Sequence, residues 1–132
     1  MTREDLVAQA ISLYKASATG YFHSVKGSGD KAKSVEYDFD GIWKNVLKIS
    51  HKLAGYERVF AASGAGPLRV TYEAVNKNCG GILQEISERV GIDVSADINL
   101  ESSGHKKIAN EETEKLILQF RDDAEKHLVF DT

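Results

Sequence analysis

The sequence predicts an α+β fold, with helices packed on an antiparallel sheet built from two hairpins, in the order α-ββ-α-ββ-α-(β)-α. Three observations carry this prediction. Amphipathic helical periodicity marks the two ends of the chain and its middle, a period-two alternation occupies residues 35–40, and two stretches rich in β-branched and aromatic residues flank glycine-bearing turns. With 132 residues, 42% of them hydrophobic and 28% charged, the chain has the size of one domain that buries a single core, and 1–132 is read as one α+β domain.

The opening "TREDLVAQAISLYKAS" sets Leu6, Val7, Ala10, Ile11 and Tyr14 on one helical face, with Thr2 and Asp5 spaced as a capping box and Gly20 suited to close the helix. "YFHSVK", "GSGDKA" and "KSVEYDFD" then read as a hairpin, because Val35, Tyr37 and Phe39 alternate with Glu36, Asp38 and Asp40. From Asp40, a candidate cap, the pattern turns helical through Ile42, Trp43, Val46, Leu47, Ile49 and Leu53, and Gly55 is expected to end it. "YERVFAA", "SGAGP" and "LRVTYEAV" read as a second hairpin, although "LRVTYEAVNKN" also reads as a helix starting at Pro67. "GILQEISERVG" places Ile82, Leu83, Ile86 and Val90 on one face of a short helix ending at Gly91. One further strand is an option at Ile98 to Leu100. The last element is a helix with Asn110 as its cap and Leu116, Ile117, Phe120 and Ala124 facing inward.

A net charge of −3 supplies no positive field, so neither nucleic acid nor an anionic membrane is an expected partner. No apolar run approaches the roughly 20 residues that span a bilayer, and the N-terminus is too polar for a signal-peptide core. One cysteine and no zinc spacing fit a reducing compartment, so the expected location is cytoplasmic. No cofactor or metal is expected: Glu36, Asp38 and Asp40 read as a solvated strand face, "KGSGDKAKS" lacks the P-loop order, and "SGAGP" lacks the dinucleotide pattern.

"NKNCGG", residues 76–81, holds the single thiol where a turn passes into a helix, a setting that favours a thiolate. An Asn-Cys pair opening a helix, in "NKNCGGILQEIS", resembles the nucleophile segment of papain-like cysteine hydrolases and deamidases. The resemblance implies Cys79 as nucleophile and a histidine on a strand as its base. His105 fits the order with cysteine first and His23 fits a permuted order. The competing reading is a buried, inert Cys79, since free cysteine commonly packs as a small hydrophobe.

No chemistry exceeds its structural explanation, which leans away from an enzyme. The sequence is read as a small intracellular module of inhibitor, immunity or adaptor type, acting through a protein partner or as a homodimer. Two alternatives stand beside it: a cysteine hydrolase or deamidase using Cys79 with His105 or His23, and small-molecule capture between sheet and helix by Trp43, Tyr21 and Tyr37. The lysine row Lys44, Lys48 and Lys52, with Lys26, Lys31 and Lys33, contrasts with the acids at Glu111 to Glu114, a polarity that can steer a partner.

Overall fold

The computed structural model describes residues 1–20, 34–93 and 111–127. Five helices make up its regular structure: α1 (Leu6–Thr19), α2 (Phe39–Ser63), α3 (Tyr72–Lys77), α4 (Cys79–Val90) and α5 (Glu111–His127). Among the described residues the one β pairing is an isolated parallel bridge between Thr2 and Thr71. The expected α+β class, with its antiparallel sheet of two hairpins, is therefore corrected to a helical architecture.

The residues fall into two compact units that interleave along the chain. One takes Met1–Glu4 and Tyr56–Gly104, the other Asp5–Gly55 and His105–Thr132. In the second unit, α1, the first half of α2 and α5 surround a core of Ala10, Ile11, Ile42, Val46, Leu116 and Phe120. Phe39, Trp43 and Phe120 stack above it, with the Phe39 and Phe120 rings 5.0 Å apart. Burial of this kind stabilises by about 1.5–3 kcal/mol per large side chain. Polar ties add direction: Lys15 pairs with Glu112 at 3.1 Å, Arg121 with Asp5 at 3.0 Å, and the Asn45 amide donates to the Ala10 carbonyl.

Asp5 is itself the N-cap of α1, accepting from the Ala8 amide at 3.0 Å. The capping-box reading was displaced because Thr2, three residues earlier, is held in the parallel bridge.

Residues 34–38 show the alternation expected of a strand, with Val35 and Tyr37 turned inward and Ser34, Glu36 and Asp38 exposed. They form no ladder. Their polar groups are met by helices instead: the Val35 amide donates to Glu112, the Tyr14 hydroxyl donates to the Glu36 carbonyl at 2.9 Å, and the Tyr37 hydroxyl donates to Asp123 at 2.7 Å. Period-two burial requires only a chain laid against a wall, and here the wall is helical. The other half of that predicted hairpin, at 21–33, and the optional strand at 98–100 lie outside the described residues, as does Asn110.

The second predicted hairpin is overturned directly. "YERVFAA" belongs to α2, which runs through Gly55 to Ser63. Ile49, Leu53, Tyr56 and Phe60 keep the helical spacing across Gly55, and one interior glycine costs only about 1 kcal/mol, less than a continued helix returns. Gly64, at φ +68°, follows the last helical residue in the left-handed conformation that suits glycine. "TYEAVNK" forms α3, capped by the Thr71 hydroxyl on the Ala74 amide, so the helical alternative begins at Tyr72 rather than Pro67.

The first unit carries no buried residue among those described, and Val59, Val90 and Ile92 are exposed. Polar ties join its parts. Arg69 donates to Glu57 through both terminal guanidinium nitrogens, Nη1 and Nη2, at 2.5 and 2.8 Å, and Arg89 at the end of α4 donates to the Gly66 carbonyl at 2.8 Å. No described helix is long and apolar enough to cross a membrane.

Candidate functional site

Residues 76–81 form a junction between two helices. Asn78 closes α3 by donating its amide to the Ala74 carbonyl at 2.9 Å, and it opens α4 by accepting the Gly81 amide on Oδ1 at 3.0 Å. A Cβ at position 81 would collide with the Asn78 carboxamide, so the second glycine leaves the cap its space. Cys79 takes the first helical position, half-buried. The carboxamide beside it caps a helix. His105 and His23 lie outside the described residues. Of the described histidines, His51 is exposed on α2 and His127 sits against Phe39, with ring centroids 5.3 Å apart.

The aromatic side chains expected to capture a small molecule are used otherwise. Trp43 stacks beside the Phe39–Phe120 pair, its ring centroid 6.5 Å from each, the Tyr37 hydroxyl is bound to Asp123, and Tyr21 is outside the described residues. Burial and the hydrogen bond to Asp123 push the Tyr37 phenol well above its ordinary value, so it stays protonated. Among the described residues no three His, Cys, Asp or Glu side chains converge as metal ligands.

A second cluster was invisible in the sequence. The Thr2 amide donates to the Val70 carbonyl at 2.9 Å and the Tyr72 amide donates to the Thr2 carbonyl at 2.8 Å, so the two segments run parallel. Immediately beyond the bridge, on the carboxyl side of both segments, come Arg3 and Glu4 from one and Tyr72 and Glu73 from the other. The Arg3 guanidinium lies over the Tyr72 ring, 4.3 Å from its centroid. Glu73 accepts the Glu4 amide at 3.1 Å, and Thr71 donates to the Glu4 carboxylate at 3.4 Å. Arg3 is half-buried and has no carboxylate partner among the described residues, unlike Arg69 and Arg121, which are paired. A planar cation held by an aromatic face keeps its N–H fork directed outward, which suits a tetrahedral oxyanion. The signal that brings these residues together is tertiary: Arg3 and Tyr72 are far apart in sequence, and each alone is unremarkable.

The model of a family described as Stf0 sulphotransferase matches residues 1–123. No curated protein matches the chain. The match overturns the protein-binding module of inhibitor, immunity or adaptor type. It equally overturns the cysteine hydrolase or deamidase, since a two-residue Asn-Cys motif is outweighed by a match along nearly the whole chain.

Proposed function

The chain belongs to the Stf0 sulphotransferase family, and we propose that it acts in sulfonate transfer. The match over residues 1–123 carries this reading. In such a reaction an acceptor oxygen or nitrogen forms a bond to sulfur while the bond from sulfur to the donor's leaving oxygen breaks. The leaving group departs as an anion and the acceptor proton passes to a base. The donor is an activated sulfate, a mixed anhydride whose negative charge must be met by fixed N–H donors. Arg3 is the described side chain best placed for that contact: half-buried, oriented by Tyr72, and beyond the carboxyl end of a parallel pair. A cytoplasmic site of action fits the single cysteine, and cell fractionation tests it.

The test uses the full chain with a sulfur-35-labelled activated-sulfate donor and a panel of hydroxylated acceptors. Label should pass to an acceptor, and Arg3→Ala should lower kcat/KM by about tenfold or more, with Arg3→Lys restoring little because an ammonium lacks the fork. Absence of transfer to every acceptor, together with no donor-dependent rise in Tm, rejects the reading.

A further inference from the structure

Along α2 the cations gather on one side. Lys44, Lys48 and Lys52 are all exposed, and none has a carboxylate partner among the described residues, whereas Lys15, Arg69, Arg121 and Lys126 are paired. At 100° per residue these three lysines and the exposed His51 fall within an arc of about 100°, on the side of the helix away from the buried Ile42 and Val46. Steps of four residues set successive lysines about 6 Å apart along the axis. No acidic residue lies between Asp40, at the N-terminal end of the helix, and Glu57. Like charges four residues apart repel, so the row works against the stability of its own helix. It is no by-product of general basicity either, since the chain carries a net charge of −3.

What the arc lacks narrows its ligand. From Lys44 to Lys52 it holds no aromatic or aliphatic side chain: Trp43 and Ile49 pack against the core cluster, and Leu47, 52% exposed, lies outside the arc. A bilayer surface is held by an apolar helix face or by clusters of about 4–8 cations, and single-stranded nucleic acid is held on aromatic stacking platforms. Ammonium groups in a row supply point charges at regular intervals. They match a flexible chain of repeated anions, where one compact anion would be gripped by a guanidinium fork. We propose that this face of α2 binds a linear sulfated polysaccharide, its sulfate groups set against Lys44, Lys48 and Lys52. The choice of sulfate rests on the sulfonate-transfer reading, while the basic row itself does not depend on it.

The anisotropy of a fluorescein-labelled heparin oligosaccharide, titrated with the full chain, tests the proposal. The wild type should bind at low salt. Lys44→Gln with Lys48→Gln and Lys52→Gln should bind at least about tenfold more weakly, and log Kd should depend on log salt with a slope smaller by about three, one for each ammonium removed. Lys44→Arg with Lys48→Arg and Lys52→Arg should keep the wild-type affinity, because the row supplies charge. Lys77→Gln with Lys115→Gln, which removes exposed lysines from two other helices, should bind as the wild type does. The triple glutamine variant should melt no lower than the wild type, since relief of like-charge repulsion offsets the change. Desulfated heparin, polyphosphate and phosphatidylserine vesicles should each bind more weakly than heparin. No binding by the wild type at low salt, an equal loss in the Lys77 and Lys115 variant, or tighter binding of any of those three probes than of heparin overturns the proposal. Binding requires no donor, so the transfer reading fails separately: a wild type that holds heparin through the row yet labels no acceptor keeps this proposal and removes that one.

Discussion

At the scale of the residue, the contacts that orient the helices are polar, and one carries a pH signature. The Lys15 ammonium donates to Glu112 at 3.1 Å, and the Val35 amide and Ser34 side chain add to it, holding the Glu112 carboxyl below the usual carboxylate range. A depressed folded value means that the stabilisation is present above the unfolded value and is lost as pH falls through the folded one. Wild-type Tm should therefore drop on acidification below about pH 5, and Glu112→Gln should drop less steeply over the same interval. Identical slopes in the two proteins would show that the pair contributes nothing. Asn78 teaches a complementary lesson about legibility. The asparagine and glycines of "NKNCGG" announced a turn into a helix, and that is what they form; the thiol drew attention that the capping chemistry did not require.

At the scale of the element, glycine separates what the sequence showed from what it hid. Gly20 and Gly91 end α1 and α4 as their patterns predicted, whereas Gly55 lies inside α2 and the true stop is Gly64. The residue type was the same; only the conformation differed. Alanine substitution exposes the difference. Gly64→Ala should lower stability by about 1 kcal/mol, because φ +68° forces a Cβ into the left-handed region although no atom lies within 4 Å of it. Gly80→Ala, equally uncrowded but inside α4, should raise it by about 0.5 kcal/mol. Urea midpoints measure both, and shifts of the same sign would contradict the backbone account. The misread hairpins have a related cause. Val59, Phe60, Val70 and Tyr72 belong to residue types enriched in strands, yet a strand needs a partner ladder, and among the described residues only Thr2 offers one bridge.

At the scale of the whole molecule, local signals fixed the helices and long-range contacts fixed everything else. The apolar stripes of α1, α2 and α5 were readable, and they do meet in one core. Phe120→Ala should cost about 3–5 kcal/mol, because it removes a buried ring that stacks on both Phe39 and Trp43. A loss of less than about 0.5 kcal/mol in urea unfolding would mean the aromatic stack is not a cooperative part of the unit. The Arg3 cluster was not readable, since it depends on the N-terminus returning to Thr71, and no periodicity encodes that return.

The interleaving of the two units also bears on how the chain emerges during synthesis. Ile11 and Ile42 are fully buried, but two of the six core residues, Leu116 and Phe120, arrive with α5. Until α5 is made and released, the stripes of α1 and α2 lack their third wall, and the segment Tyr56–Gly104 is translated in between. Folding of the helical core therefore waits for nearly all of the described chain, leaving a nascent polypeptide that offers apolar surface to chaperones throughout its time on the ribosome.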